Sequence, residues 1–312
     1  WPLTSVSPST TSSATASYLT ALPPVEHGVL GFLMYFPEYN HVFNMLSFRS
    51  PDRLHEDLIV RGFLPEKYLT QPTVLAMLED SGILVGAYNN TQYAGSGLSR
   101  LIYTDHLPYH YFALGDMLWL AQQQLELPAR QFQFLYWSTP DTIAHTYGAR
   151  SGAYVHEVFM LLSTVKQLLI PQLDDDTAMI ICADHGHIDG NDDEAIDLTK
   201  ISGLVDLFRV PPAGEGRAPQ LFIRPGYVDE AKAQLLAAGN MLVLTRDEYI
   251  ASKLLGDATP RQDILEKLGD LVVLPHGSRR TLYPYEMRPH TAMVGRHGGL
   301  SPEEMVIPLI VF

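Results

Sequence analysis

Six short apolar runs, separated by polar segments and one amphipathic helix, constrain the fold of this chain more than any other feature. The runs occupy residues 83–88, 132–137, 177–183, 220–224, 241–245 and 271–274. Most of them do not alternate polar with apolar residues, which is typical of strands covered on both faces. Between two of them, residues 151–170 place apolar side chains at helical spacing until Pro171 ends the pattern. Strand, helix and strand in this order predict an α/β fold with a doubly wound, largely parallel sheet.

The organisation along the chain predicts a core formed by residues 1–200 and 290–312. Residues 201–289 contain strand candidates of their own and the turn-rich segment PPAGEGR at 211–217. We therefore expect these residues to form a smaller lobe or an insertion. A chain of 312 residues with 46% hydrophobic residues is long and apolar enough to bury a sizeable core.

Composition excludes several kinds of binding partner and several structural features. With 21 Lys and Arg against 35 Asp and Glu, the formal net charge is −14, and no basic run could follow the backbone of a long nucleic acid. No apolar segment approaches the ~20 residues of a membrane span, and residues 1–20 are too rich in Ser and Thr for a signal peptide. The single cysteine, Cys182, excludes an intrachain disulfide and a Cys-based zinc site. Between compartments, the sequence slightly favours the cytoplasm.

Polar clusters follow two of the predicted strands, at the edge of the sheet where ligands bind. Asp184 and His185 come directly after one run, and Asp141 and His145 follow another in an Asp-x-x-x-His pattern. His297 lies in GRHGGLSPEEM, where glycines let backbone approach a ligand closely. Three histidines and two aspartates from separate loops suit a borderline divalent metal, zinc first, although such ligands also accept manganese or iron.

Each cluster also has a simpler interpretation. Asp184 and His185 could instead cap the following helix. An isolated Asp-x-x-x-His pattern often occurs without a metal. The occurrence of all the clusters in one chain is what favours a metal site, while the position of His187 in ADHGH leaves its membership of that site open.

The segment PSTTSSATASYLTALPPVEHG, residues 8–28, gathers hydroxyl residues in a turn ahead of a predicted helix. A hydroxyl at a helix N-terminus benefits from the positive end of the helix dipole, and metal coordination would lower its pKa enough to form an alkoxide nucleophile. Considered alone, the segment is better explained by an ordinary cluster of Ser and Thr N-cap residues.

Five motifs in this order resemble the type I phosphodiesterase/nucleotide pyrophosphatase family of the alkaline phosphatase superfamily. They are P-x-x-T, T-x-L-x-P-x-x-H-G, D-x-x-x-H-x-x-G, D-H-G after an apolar strand, and G-x-H-G-G-L-S-P-E-E-M. The resemblance covers nearly the whole chain, and the ordered combination is specific even though each motif alone is not. It implies an alkaline phosphatase-like, three-layer α/β/α sandwich with two zinc ions at the carboxyl ends of the strands.

The resemblance also implies a nucleophile and a mechanism. Thr11 matches the nucleophile of the family, and Thr10 or Ser12 would take its place if the loop were shifted by one residue. Thr11 would attack phosphorus and form a covalent phosphothreonine, which water then hydrolyses.

The metal ligands follow from the same resemblance. Asp141, His145 and His297 match the ligands of one zinc ion. Asp184 and His185 match ligands of the other ion, which also binds the oxygen of the nucleophile.

Two features depart from the family pattern. The family has a further zinc ligand, an aspartate in an Asp-Gly turn after the first core strand, and the ten residues before Thr11 contain no such turn. We therefore expect the sequence to begin inside a longer protein, downstream of that first strand; otherwise a non-catalytic metal-binding or phosphate-binding domain is the alternative. Phe32 stands where the family has an Asn that contacts the substrate phosphate. Asn44 could take over this contact, or it could instead be a buried or capping residue.

The predicted function is metal-dependent hydrolysis of a phosphodiester or pyrophosphate bond in a small phosphorylated substrate, a nucleotide among the candidates. Residues 2–25 carry no charge, so a dianionic monoester would lack a nearby cation unless Arg100 or Arg217 reaches the site. Phosphomonoesterase or phosphonate hydrolase activity is the alternative within this class. The C/S-x-P-x-R motif of sulfatases does not occur.

Overall fold

A computed structural model describes residues 1–52, 56–69, 71–103, 106–285 and 293–312. Its strands are β1 (Pro2–Thr4), β2 (Leu33–Phe36), β3 (His41–Asn44), β4 (Leu84–Asn90), β5 (Tyr109–Tyr111), β6 (Gln131–Leu135), β7 (Ile180–Cys182), β8 (Ile188–Asp189), β9 (Ile196–Asp197), β10 (Phe208–Glu215), β11 (Ala218–Ile223), β12 (Met241–Thr245), β13 (Leu271–Pro275), β14 (Thr281–Leu282), β15 (Gly295–Arg296) and β16 (Val306–Val311). Its α-helices are α1 (Thr11–Thr20), α2 (Pro24–His27), α3 (Val74–Asp80), α4 (Gly97–Ile102), α5 (Leu114–Leu125), α6 (Thr139–Tyr147), α7 (Gly152–Leu168), α8 (Val228–Ala238), α9 (Arg246–Ala251), α10 (Gln262–Leu265) and α11 (Pro302–Met305). Strands and helices alternate over much of the chain, so the predicted α/β class is confirmed.

The apolar runs and the amphipathic helix lie where the sequence predicts them. Each of the six runs overlaps a strand, namely β4, β6, β7, β11, β12 or β13. The helix predicted over 151–170 is α7, which begins where the Ser151 side chain accepts a hydrogen bond from the Tyr154 N–H. Pro171 lies in the 3-10 turn that follows the helix, where its missing N–H costs no helical hydrogen bond.

One sheet has the predicted parallel arrangement. Its order is β5-β4-β6, and β4 pairs in parallel with both neighbours. Helix α5 connects β5 to β6, which is the kind of crossover that parallel strands need. Met117 and Leu118 of α5 pack in one apolar cluster with Tyr88 of β4 and Val165 of α7.

The other sheets correct the prediction of largely parallel strands. Six strands form an antiparallel sheet in the order β12-β13-β11-β10-β2-β3. The C-terminal strand β16 pairs antiparallel with both β1 and β7. The physical reason lies in the connections, because β2 and β3, like β10 and β11, are joined by short turns that only antiparallel neighbours can use.

Residues 201–289 contribute β10 to β13 to this six-stranded sheet, which β2 and β3 complete from the N-terminal part of the chain. A second apolar cluster, with Leu221, Val243 and Leu271 among its members, packs these strands against α8. The division into a core and a smaller lobe remains a prediction, and its boundary at residues 289 and 290 lies outside the described residues.

By length and composition alone, the segment Gly152–Gln172 meets the criteria for a membrane-crossing helix, with a mean hydropathy of 1.2. A single segment of this kind is weak evidence for a membrane span, and 11% of its most apolar window is buried in the structure. No other segment of the described residues meets them.

His27, the last residue of α2, joins that helix to α1. Its side chain is 3% exposed. Nδ1 accepts a hydrogen bond from the Val29 N–H at 3.0 Å, and Nε2 lies 3.0 Å from Ser17 Oγ on α1. Because Nδ1 is an acceptor, the ring is neutral, and burial lowers the pKa of His27 to about 3.

We predict that acid destabilises the protein through His27. Its pKa is about 3 in the folded chain against 6.5 for the free side chain. Between these values the unfolded chain binds the additional proton, so the free energy of unfolding should fall with falling pH, by up to about 1.4 kcal/mol per pH unit. Urea denaturation of the metal-free protein at several pH values across this window measures the slope.

His27→Asn should flatten that slope, because the Asn side-chain oxygen can accept the Val29 N–H without binding a proton. The matched control is His110→Asn, which removes an exposed imidazole and should leave the slope unchanged. A wild-type slope in His27→Asn would contradict the assignment.

Candidate active site and metal centre

The structure brings the predicted aspartates and histidines to the ends of the elements where the sequence places them. Asp184 and His185 follow β7 directly, and Asp141 lies in the first turn of α6 with His145 one turn later. His297 follows β15, which pairs with β8 just beyond the ADHGH segment. Segments far apart in sequence therefore meet at one site.

Three of these side chains form a compact cluster together with His187. Asp141, His145, His187 and His297 each offer a ligand atom, and these atoms all lie within 4.8 Å of one another. Asp141 Oδ1 is 2.9 Å from His187 Nε2, 3.3 Å from His145 Nε2 and 3.8 Å from His297 Nε2. His145 Nε2 and His297 Nε2 are 3.2 Å apart. Ligands at ~2.0–2.1 Å from a tetrahedral zinc ion lie about 3.3 Å from each other, so these spacings fit such an ion.

Hydrogen bonds to backbone carbonyl groups fix the orientation of three histidines. In each, the Nδ1–H donates to a carbonyl oxygen and leaves Nε2 free to face the site. The pairs are His145 with Gly295 at 2.8 Å, His297 with Ser9 at 3.0 Å and His185 with Gly186 at 3.0 Å. Metal-binding histidines in proteins are held in this way. The arrangement therefore fits a metal on donor chemistry as well as on spacing.

The charge states of Asp141 and His297 suit metal ligands, whereas a bound metal would have to displace the proton that Asp141 stabilises on His145. Burial opposes ionisation of Asp141, but hydrogen bonds from His145 and His187 hold its pKa well below the usual value. Burial likewise opposes protonation of His145, whose pKa is nevertheless raised by its hydrogen bond to Asp141. For His297, burial followed by the charge of His185 lowers the pKa well below the usual range. A metal requires an ionised carboxylate and a neutral imidazole.

Thr11 lies beside the second predicted group of ligands. Its Oγ1 is 3.1 Å from His185 Nε2, which in turn is 3.5 Å from Asp184 Oδ2. Thr11 is the first residue of α1, where the helix dipole favours negative charge.

The neighbouring hydroxyl residues are placed less well for attack. Thr10 and Ser12 are 2% and 0% exposed, whereas Thr11 is only partly buried. Thr10 occupies the N-cap position without a side-chain capping hydrogen bond, so the capping alternative does not account for it. Of the three hydroxyls, that of Thr11 combines access with contact to a predicted ligand.

Sequence reasoning did not assign two residues of the site. His187 was left open, although its place in ADHGH, two residues after His185, is the signal that could have found it. Tyr136 was overlooked. It follows β6 directly, and its phenol hydrogen-bonds to Thr11. Burial, together with the charges of Asp184 and Asp141, raises the pKa of Tyr136 well above its usual value.

A buried ion pair holds the loops that carry the site. Arg217 Nε and Nη2 donate to the two carboxylate oxygens of Glu304 at 2.9 and 2.6 Å. Glu304 Oε1 also accepts from the Gly299 N–H at 2.8 Å, and its backbone carbonyl accepts from the Gly186 N–H at 2.8 Å. A Cβ atom at Gly186 would lie 2.1 Å from the Glu303 carbonyl oxygen, so only glycine fits there.

This ion pair corrects the expectation that Arg217 could reach a substrate phosphate. Its guanidinium is committed to Glu304 and to the Gly277 carbonyl, to which Nη1 donates at 2.7 Å. The other candidate, Arg100, donates from Nε to the Gly95 carbonyl at 2.9 Å.

Asn44 ends β3 and organises the turn that follows. Its side-chain oxygen accepts from the backbone N–H groups of Leu46 and Ser47, at 2.8 and 3.3 Å. This is the capping geometry that the sequence offered as an alternative. Asn44 pairs with Leu33, next to Phe32, so its role in substrate binding stays a prediction.

The sequence profile of the type I phosphodiesterase / nucleotide pyrophosphatase family matches residues 1–300. The chain belongs to this family. It is accordingly a hydrolase of phosphoric ester bonds. No curated protein sequence matches the chain.

Solved structures confirm the alkaline phosphatase-like fold. Murine ectonucleotide pyrophosphatase/phosphodiesterase 5 is 18% identical, with a TM-score of 0.73 over 98% of this chain and 78% of that one. An inactive variant of the same murine protein in complex with AMP is 17% identical, with a TM-score of 0.71 over 98% and 78% of the two chains. Phosphonoacetate hydrolase from Sinorhizobium meliloti 1021, in complex with phosphonoformate, is 17% identical, with a TM-score of 0.66 over 99% and 80%.

The buried ion pair predicts a large loss of stability in Glu304→Gln. This change leaves the Arg217 guanidinium buried without its countercharge, which should lower the free energy of unfolding by about 3–5 kcal/mol. Chemical denaturation measures the loss. The matched control is Glu303→Gln at the neighbouring exposed position, which should change stability by no more than about 0.5 kcal/mol. Equal effects at the two positions would contradict the prediction.

The position of His187 in the Asp141 cluster predicts that its side chain contributes to metal affinity. His187→Ala should weaken zinc binding to the Asp141 cluster by about 10- to 100-fold, measured by competition with a zinc-chelating dye. His187→Gln distinguishes a metal ligand from a residue that only orients Asp141, because Gln can still donate a hydrogen bond to the Asp141 carboxylate. If His187 binds the ion, both variants lose affinity. Wild-type affinity in both would exclude His187 from the metal site.

Proposed function

We propose that this hydrolase cleaves phosphodiester or pyrophosphate bonds in a metal-dependent reaction, with Thr11 as the nucleophile. The observation that carries the proposal is the position of Thr11 Oγ1, 3.1 Å from His185 Nε2 at the first residue of α1. Family membership supports the same reaction class.

The donor set supports two zinc ions as the cofactor. Asp141, His145 and His297 would hold one ion, with His187 as a fourth donor on the same side. Asp184 and His185 would hold the second ion beside Thr11. Imidazole and carboxylate donors suit zinc, and also accept manganese or iron. When bound, such ions act as Lewis acids that lower the pKa of the nucleophile and stabilise charge on the phosphoryl group.

The residues of the chain then carry out a two-step displacement. Thr11 Oγ1 attacks phosphorus, the bond from phosphorus to the leaving oxygen breaks, and a phosphothreonine forms. Water attacks the same phosphorus in the second step, which breaks the bond to Thr11 and releases the phosphoryl product. The hydrogen bond between Tyr136 and Thr11 and the contact of Thr11 with His185 hold the Thr11 hydroxyl in position for the first step.

The pairing of Arg217 with Glu304 favours a diester or pyrophosphate over a monoester as the substrate. A dianionic monoester needs positive charge near the transferred group, and Arg217 is paired with Glu304. A phosphorus that carries a second ester or phosphoryl substituent has less charge to neutralise. We propose a small phosphorylated substrate and would test nucleotides first, since a structure similar to this one contains AMP.

A phosphonate is the second candidate substrate. The observation in its favour is the similarity of the fold to phosphonoacetate hydrolase, at a TM-score of 0.66. Release of phosphate or of the phosphonate's carbon fragment from phosphonoacetate would support it.

The nucleophile is tested with Thr11→Ala. This variant should lose at least about a thousandfold in kcat/KM for bis(p-nitrophenyl) phosphate, because the neighbouring hydroxyls of Thr10 and Ser12 are buried and cannot take over the attack. Thr11→Ser should retain measurable activity. Ser12→Ala, which removes the adjacent buried hydroxyl, is the matched control and should keep wild-type activity.

The phosphothreonine intermediate can be detected directly. Acid quenching of the wild-type protein during turnover, followed by peptide mass spectrometry, should find a phosphate on Thr11. Wild-type activity in Thr11→Ala, or a phosphate on another residue, would refute the assignment of the nucleophile.

A further inference from the structure

Glu215 places a carboxyl group next to the nucleophile segment, and the proposed reaction gives it no role. It is the last residue of β10, at the turn into β11. Its Oε1 accepts a hydrogen bond from the Phe32 N–H at 2.9 Å. Its carboxyl also hydrogen-bonds to the side chain of Thr10, the residue before Thr11.

Close packing fixes Glu215 against the loop of His297. A Cβ atom at Gly298 would lie 2.7 Å from both Cβ and Cγ of Glu215, so a side chain at that position does not fit. Gly298 has a φ of +104°, which also favours glycine. The Glu215 side chain therefore lies between the Thr10 segment, the Phe32 backbone and the loop of a proposed metal ligand.

Glu215 is buried close enough to His185 and His145 for their charges to act on its carboxyl group. Burial raises its pKa to about 7, against the lowering effect of the hydrogen bonds to Thr10 and Phe32 and of the charges of His185 and His145. In the described part of the chain, Glu215 forms no ion pair with Lys or Arg, and nearby Arg217 is paired with Glu304. At alkaline pH the site thus contains a carboxylate that no arginine or lysine neutralises.

We propose that Glu215 faces the phosphoryl group of the substrate and selects against doubly charged monoesters. The inference rests on the proposed function, since a phosphoryl group attacked by Thr11 lies next to the Thr10 contact of Glu215. A monoester dianion has one more negative charge at phosphorus than a diester, and repulsion between like charges at close range in a poorly solvated site disfavours it by at least about tenfold. Phe32, which has no polar side-chain atom, contributes its N–H to holding this carboxyl in place.

The test compares Glu215→Gln with Glu215→Asp. Gln has the same shape, keeps an oxygen to accept the Phe32 N–H and removes the charge, whereas Asp keeps the charge. At alkaline pH, above the second pKa of a phosphate monoester at about 6, kcat/KM is measured for p-nitrophenyl phosphate and for bis(p-nitrophenyl) phosphate. The ratio of monoester to diester should rise about tenfold or more in Glu215→Gln and stay close to wild type in Glu215→Asp. Glu66→Gln removes an exposed charge elsewhere and should leave the ratio unchanged.

A binding measurement separates this inference from the proposed function. Calorimetric titration of the zinc-loaded protein with inorganic phosphate needs no turnover, and Glu215→Gln should bind the phosphate dianion about tenfold more tightly than wild type. If Thr11→Ala keeps its activity, the proposed nucleophile is wrong, yet the phosphate affinities still test Glu215. An unchanged affinity with an unchanged ratio would overturn the inference. The inference would also be overturned if monoester and diester kcat/KM fell equally in Glu215→Gln and in Glu215→Asp. That result would assign Glu215 a structural role only.

Discussion

The buried ion pair between Arg217 and Glu304 is the constraint on which the geometry of the site depends. The two side chains are 3% and 0% exposed, and burying both charges is favourable only when their geometry and remaining hydrogen bonds are satisfied. Here the guanidinium is bidentate, the Glu304 carboxylate also accepts from the Gly299 N–H, and the Glu304 backbone carbonyl accepts from the Gly186 N–H. The β10–β11 hairpin, the His297 loop and the ADHGH loop are thereby held at fixed distances from one another.

The residues that precede Thr11 fix the position of this nucleophile relative to these three loops. Ser9 Oγ donates to the Gly299 carbonyl at 2.9 Å and accepts from the Gly298 N–H at 3.1 Å, while its carbonyl orients His297. Thr11 therefore begins its helix at a point set by the same loop that supplies a proposed metal ligand. A site assembled from several loops keeps its geometry because His145, His185 and His297 are each hydrogen-bonded to a backbone carbonyl.

Local sequence signals predicted the strands, the helix α7 and the cluster residues Asp141, His145 and His297, because apolar periodicity and ligand chemistry can be read from short segments. The direction of the strands could not be read in this way, since it depends on which hairpins form. The pairing of Arg217 with Glu304 joins residues 87 positions apart, and no local pattern shows that the two side chains meet. Glu215 and Tyr136 were missed for the same reason, because their significance comes from contacts with Thr10 and Thr11 that only the folded chain provides.

The central claim is that a metal ion lies against the Thr11 hydroxyl. Anomalous X-ray diffraction at the zinc absorption edge, on crystals of the zinc-loaded protein, tests it most directly. Two anomalous peaks are expected, one among the side chains of the Asp141 cluster and one within ~2.0–2.2 Å of Thr11 Oγ1 and His185 Nε2. A fully loaded crystal with a peak at the first position and none beside Thr11 would contradict the claim.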